Sequence, residues 1–254
     1  MRRIAVMAGV LVFVLAGSVS GCHRVHSRPD ARSLVVFAAA SLNSAFTRIG
    51  QRFQADNPGV NVTFNFAGSS ELATQLTEGA RADVFASADR AQMGRVGDAG
   101  LLAADPTDFA TNTLMIVTAP GNPKGIDTFA DLGRPGLAVV VCQQPVPCGV
   151  AAWRIEEATG IYLQPASEEP SVADALNKVS SGQADAALVY RTAAADAGAA
   201  VAAITFPEAA GAVNVYPIAV LNTAADTALA QSFVAMVTTG AGRQILDRSG
   251  FARP

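Results

Sequence analysis

Ser41 and Ser69 each stand where a strand-like run gives way to a helix-like one, in Val-Val-Phe-Ala-Ala-Ala-Ser-Leu-Asn-Ser (35–44) and Phe-Asn-Phe-Ala-Gly-Ser-Ser-Glu-Leu-Ala (64–73). A serine in that place can cap the helix, and its hydroxyl joins the first backbone N–H groups, which have no partner inside the helix. Together they form a spot that holds an anion without a charged side chain. Three more junctions have the same character: the Pro147-Cys148-Gly149 turn, Ser171-Val172, and Tyr190 at the end of Ala186-Ala-Leu-Val-Tyr190. Any one serine is explained well enough as a cap, and Tyr190 as a partly buried aromatic whose hydroxyl finds a backbone partner. Five uncharged junctions in one chain point instead to a receptor for an oxyanion.

The elements that must position them alternate along the chain. Leu42, Phe46, Ile49 and Phe53 recur at helical spacing and stop at Asn57-Pro58-Gly59, while Val62, Phe64 and Phe66 alternate with polar residues as in a strand. Further helices are predicted near 69–78, 89–98, 149–159, 171–181, 225–238 and 240–248, and strands near 83–86, 113–118, 137–142, 186–190 and 214–220. This alternation predicts an α/β fold with largely parallel sheets. In such sheets ligands gather beyond the carboxyl ends of the strands, where helix N-termini converge. Turn-rich stretches at 119–125 and 221–223 suggest one lobe, 34–118 plus 221–254, interrupted by a second, 119–220. The Ala-rich tract 193–212 reads as small-residue core packing, and no internal repeat is visible.

The N-terminus sets the compartment. Arg2 and Arg3 precede an apolar run from Ile4 to Ala16, too short to span a bilayer and of signal-peptide length. It ends in Val19-Ser20-Gly21-Cys22, which resembles the lipobox of bacterial lipoproteins. The resemblance implies that 1–21 is removed and Cys22 lipidated, which anchors the protein to the outer face of the cell membrane. The alternative is a plain secretory signal with an incidental cysteine. Residues 22–33 are polar and read as a tether. Cys142 and Cys148, six apart, are the only cysteines after it, so export to an oxidising space points to a disulfide between them, or failing that to two free buried thiols.

Without residues 1–21 the chain keeps 16 basic and 21 acidic side chains, a net charge of −5. No basic stripe is present to displace counterions, which argues against a nucleic-acid partner. It also leaves any anion to be held by local donors. The two histidines, His23 and His26, both lie in the tether. A Ser–His–Asp or Cys–His catalytic arrangement is therefore missing from the folded part, and no enzyme is expected.

The runs Phe37-Ala-Ala-Ala-Ser-Leu42, Phe66-Ala-Gly-Ser-Ser-Glu-Leu-Ala73 and Ala82-Asp-Val-Phe-Ala-Ser-Ala-Asp89 resemble those of the molybdate-binding proteins of ABC importers. Val146-Pro-Cys-Gly149, Ala186-Ala-Leu-Val-Tyr190, Tyr216-Pro-Ile-Ala219 and Gly250-Phe251 extend the match in order and spacing from Val35 onward. The resemblance implies a two-lobed periplasmic-binding-protein-like fold with the ligand cleft between the lobes. It further implies molybdate or tungstate as ligand, no cofactor, no bare metal ion, and delivery by a monomer to an ABC permease in the membrane. Carried over residue by residue, Ser41 and Ser69 supply hydroxyl and N–H donors, Cys148 and Val172 supply N–H groups, and Tyr190 supplies its phenol. Ser69 is preferred to Ser70. Gly68 replaces a frequent serine and is expected to loosen its turn. Cys148 replaces an alanine with its backbone donor intact, and Arg191 replaces a common glycine and is expected to face solvent.

Rival readings keep the architecture and change the ligand to sulfate, another oxyanion or a metal ion, or make the protein a ligand-free adhesive lipoprotein. Ferric receptors of this broad class use adjacent tyrosines, whereas Tyr162, Tyr190 and Tyr216 are scattered in the sequence.

Overall fold

The chain reverses between strand and helix often enough to build two sheets, and a computed structural model describes residues 32–254 of it. The signal segment, the Cys22 lipidation site and nearly all of the tether lie outside the described residues. The strands are β1 (Arg32–Ala39), β2 (Val60–Ala67), β3 (Val84–Ala86), β4 (Thr107–Asn112), β5 (Leu114–Thr118), β6 (Val139–Cys142), β7 (Ser167–Glu169), β8 (Ala186–Tyr190), β9 (Ala202–Ile204) and β10 (Asn214–Val220). The helices are α1 (Asn43–Asp56), α2 (Ser69–Thr77), α3 (Arg90–Asp98), α4 (Pro147–Thr159), α5 (Val172–Ser180), α6 (Arg191–Ala197), α7 (Thr227–Thr238) and α8 (Gly240–Arg248).

One sheet has the order β2-β1-β3-β10-β4 and the other β7-β6-β8-β5-β9. The arrangement is mixed rather than largely parallel. β1 pairs in parallel with β2 and β3, and β6 with β7 and β8, but β10 and β5 run antiparallel to both of their neighbours. Each of these two strands enters its sheet directly from the other half of the molecule, not through a helical crossover, so nothing imposes the parallel sense.

The strands also divide differently from the expected 34–118/119–220/221–254 scheme. β5 belongs to the second sheet and β10 to the first, so the chain crosses at Thr113 and again between Ile204 and Asn214. The turn-rich stretch 119–125 is a loop inside the second half. At Thr113 the chain runs from β4 into β5 through a single residue, which needs no turn chemistry and leaves no signal in the sequence.

α1 exists because Phe46, Ile49 and Phe53 make one apolar stripe; all three are buried. Phe46 and Phe53 pack edge-on against Phe233 of α7, with centroids 6.1 and 5.3 Å apart, which pins both helices to the first sheet. Gly160 ends α4 in the left-handed conformation at φ 70°, which glycine adopts without strain. The Ala-rich tract is only partly core. It forms α6, β9 and a 3-10 turn at Pro207–Gly211, with Ala194, Phe206 and Ala209 buried and Ala199 and Ala200 exposed.

Candidate functional site

The five junctions converge. Ser41, Ser69, Cys148, Val172 and Tyr190 line one cavity between the two sheets, together with Gly68, Ala88 and Ser171. None of the lining residues is charged. The cavity at their focus is small, about 10 Å³. Ser70 is half-buried and stays outside it.

Neither serine is a cap. Ser69 is the first residue of α2, with Gly68 in the capping position, and Ser41 sits inside a 3-10 turn, Ala40–Leu42, that leads into α1. Their hydroxyls make contacts across the fold. Ser69 Oγ accepts a hydrogen bond from Ala88 N at 2.9 Å. Its proton is therefore free for a further acceptor. Ser41 Oγ lies 2.9 Å from the Tyr216 hydroxyl. Ser171 is a genuine cap: its Oγ accepts from Asp174 N at 3.2 Å and donates to Asp174 Oδ2 at 2.6 Å. That leaves Val172 to offer only its backbone at this junction, as the N–H groups of a first helical turn do.

In α4, Pro147 occupies the first helical position, where its missing N–H costs nothing, and Cys148 follows with its N–H free of the helix ladder. A disulfide joins Cys148 to Cys142 at the end of β6, with Cα atoms 5.6 Å apart. Gly149 next to it is obligatory, since a Cβ there would sit 2.3 Å from Gln143 O and 2.5 Å from Cys142 O. The start of α4 is thus pressed against the strand that carries it.

Tyr190 is 1 % exposed, and its hydroxyl has no hydrogen-bond partner among the described residues. A buried donor left unpaired is rare, and here it borders the cavity. Burial, reinforced by the neighbouring Tyr216, pushes the phenol well above its ordinary pKa. It remains an O–H donor throughout the physiological range.

Two sequence expectations change. Gly68 does not loosen its turn: its φ is −59°, open to any residue. It is a point of close approach, because a Cβ would lie 2.2 Å from Pro170 O in the facing half. The tyrosines are not all scattered, because folding brings the Tyr190 and Tyr216 rings to 6.0 Å, while Tyr162 lies exposed. Burial raises the Tyr216 pKa as well, so both phenols resist becoming the phenolates that a ferric ion would take. No group of three or more His, Cys, Asp or Glu side chains able to hold a metal ion occurs among the described residues. Arg191 is exposed as expected and donates to the Gly250 carbonyl, away from the cavity.

Sequence reasoning missed the supporting residues. Asn214 donates to Ala88 O at 2.9 Å and to Pro147 O at 3.4 Å, joining the two rims. Gln92 Nε2 reaches Pro145 O at 3.1 Å across the same gap. Tyr216 carried one signal: a tyrosine in an apolar strand has a hydroxyl that must find a partner.

Residues 34–252 match the family model described as bacterial extracellular solute-binding protein. The molybdate-binding protein ModA of Mycobacterium tuberculosis (strain ATCC 25618 / H37Rv) is 62% identical over 261 residues, covering 100% of both chains. Among solved structures, the periplasmic molybdate-binding protein of Azotobacter vinelandii has a TM-score of 0.75 at 20% identity, covering 87% of this chain and 99% of that one. The sulfate-binding protein SubI of Mycobacterium tuberculosis H37Rv has a TM-score of 0.76 at 20% identity, covering 87% of each chain. At that identity the two structures speak for the two-lobed binding-protein fold alone. The chain belongs to the bacterial extracellular solute-binding proteins and, within them, to the family of the molybdate-binding protein ModA.

Proposed function

We propose that this protein captures molybdate, and tungstate with it, outside the cytoplasmic membrane and presents it as a monomer to an ABC permease. Ser41 and Ser69 hydroxyls, the Cys148 and Val172 N–H groups and the Tyr190 phenol hold the anion. The observation that carries this reading is the Tyr190 hydroxyl, buried and without a hydrogen-bond partner among the described residues, at a cavity with no charged residue in its described lining. Kinship with ModA proteins supports the choice of anion.

A cavity of such donors favours a fully deprotonated tetrahedral dianion. Ser69 Oγ already accepts from Ala88 N, and a monoprotonated phosphate would bring an O–H with poor choice of acceptor, at a cost of ~1–3 kcal/mol for an unpaired buried group. Ligand contacts from both lobes exist only when the lobes are together, and that differential binding drives closure. Gln92–Pro145 and the bare Gly68–Pro170 approach then complete the closed surface offered to the permease. Lipidated Cys22 and the tether 22–33 keep the domain close to the membrane. The role is one of carriage, with no catalysis.

Calorimetric titration with molybdate, tungstate, sulfate and phosphate tests this. Tight binding of the first two and weak binding of the others is expected. Sulfate binding as tightly as molybdate would overturn the assignment in favour of a general oxyanion receptor. Trp153 is a poor reporter for the experiment, because it is 44 % exposed in a separate hollow beside Cys142.

A further inference from the structure

Tyr216 does not line the cavity, yet its hydroxyl is the one side-chain partner of Ser41 Oγ among the described residues. We propose that Tyr216 is a positioning residue for the anion site: its O–H donates to Ser41 Oγ and thereby reserves the serine proton for the bound anion. This inference rests on the oxyanion reading above.

Two hydroxyls 2.9 Å apart share one hydrogen, and its direction decides what the cavity sees. If Ser41 donated to Tyr216, the serine would turn lone pairs toward a dianion and repel it. If Tyr216 donates, Ser41 presents O–H. Two features select the second arrangement. The Tyr216 ring is 0 % exposed and held edge-on by Phe251, Tyr190 and Phe109, with centroids at 5.5, 6.0 and 6.3 Å, so its oxygen stays at one place. Among the described residues Ser41 Oγ is also the one hydrogen-bond partner of the Tyr216 hydroxyl, so the buried Tyr216 proton is paired only by going to Ser41. The Ser41 proton has a second outlet, because Ser41 lines the cavity where the anion sits. The result is a one-way chain, Tyr216 to Ser41 to anion, in which each bond strengthens the next.

The test is calorimetry with sodium molybdate and with phosphate on the exported protein, its Tyr216→Phe and Ser41→Ala variants, and the double variant. Tyr216→Phe is expected to weaken molybdate about tenfold. It should also narrow the molybdate-to-phosphate ratio, because an undirected Ser41 can accept from a phosphate O–H, which a purely structural role would not change. In the Ser41→Ala background Tyr216→Phe should cost nothing further. Additive losses, or an unchanged ratio, would overturn the proposal. Phe251→Leu, which loosens the edge-on contact that holds the Tyr216 ring, should give the same pattern more weakly and covers the case in which Tyr216→Phe fails to fold; no loss there would overturn it equally. A wild-type protein that ignores molybdate would sink the oxyanion reading itself, and this inference with it.

Discussion

The helices that follow β1 and β2 bring serine hydroxyls, Ser41 and Ser69, to the cavity, whereas the matching elements after β6 and β7 bring Cys148 and Val172, which contribute through the backbone. The third junction differs again. After β3 stands Asp89, which turns away to cap α3 by accepting from Gln92 N at 2.8 Å; at the end of β8 stands Tyr190, which borders the cavity. The scaffolds underneath are the same. The orders β2-β1-β3-β10-β4 and β7-β6-β8-β5-β9 have identical parallel and antiparallel senses position by position. Asp83 exchanges hydrogen bonds with Val35 N and O just as Asp185 does with Ala138 N and O. One plan thus carries two chemistries. A hydroxyl can rotate and must be held by a partner, as Ala88 N holds Ser69 and Tyr216 meets Ser41. A backbone N–H is aimed by its helix, so the second lobe invests in fixing the helix start, with Pro147, Gly149 and the disulfide.

The comparison can be broken from the first lobe with the largest effect. Ser69→Ala removes a donor to a charged ligand, worth ~1.5–3 kcal/mol, and affinity measured by calorimetry should fall by at least tenfold. The Ala88 N–H loses its partner as well, so a small drop in melting temperature accompanies it. An unchanged affinity would remove Ser69 from the site. Gly68→Ala attacks the seam between the lobes. The Cβ meets Pro170 O at 2.2 Å, and relieving that overlap costs about 1–3 kcal/mol in the closed state. Small-angle scattering with saturating molybdate should show the variant less compact than wild type; equal compaction would show that the seam yields.

The second lobe should be less sensitive. Replacing Cys142 and Cys148 together with serine opens a link between residues six apart and lowers stability by about 2 kcal/mol on loop-entropy grounds, while affinity falls only severalfold because Pro147 and Gly149 still seat α4. A loss as large as that of Ser69→Ala would make the disulfide the principal organiser of the site. Smaller still is the effect of pH on Tyr190. Its raised pKa keeps it protonated, so molybdate affinity should stay flat up to about pH 9, well below where even an ordinary phenol near 10 ionises. A decline beginning at pH 8 would contradict this burial argument. Asp89 provides the last check. Burial raises its pKa, so the folded state binds a proton more tightly than the unfolded one, and stability is lost as pH rises from about 4 through the raised value. Asp89→Asn keeps an acceptor for Gln92 N and should flatten that part of the melting-temperature profile, and an unaltered profile would assign the slope to other groups.

Much of this was readable in the sequence. The helices over α1, α4, α5 and α8 lie where apolar spacing and stop residues put them, because a stripe such as Phe46, Ile49 and Phe53 has only one way to be buried. β4, β7 and β9 were not readable. Ser167–Glu169 is a polar strand end that pairs only because β6 lies beside it, and Ala202–Ile204 is too short to show a period. The strand–helix junctions that line the cavity were visible as residue types, since each needs only local chain chemistry.

What the sequence determined by itself was the inventory: uncharged donors at strand–helix junctions, a folded part without histidine, and the motif order of a solute-binding protein. What only the tertiary structure decided was how those donors are held. Ser69 faces Ala88 across 19 residues and Ser41 meets Tyr216 across 175. Gly68 matters because Pro170 arrives opposite it, and the two lobes prove to be the same topology with almost no trace in the residues. Local chemistry is written in neighbouring residues, but the aim of a hydroxyl and the fit of a seam depend on chain segments that meet only when both sheets have formed.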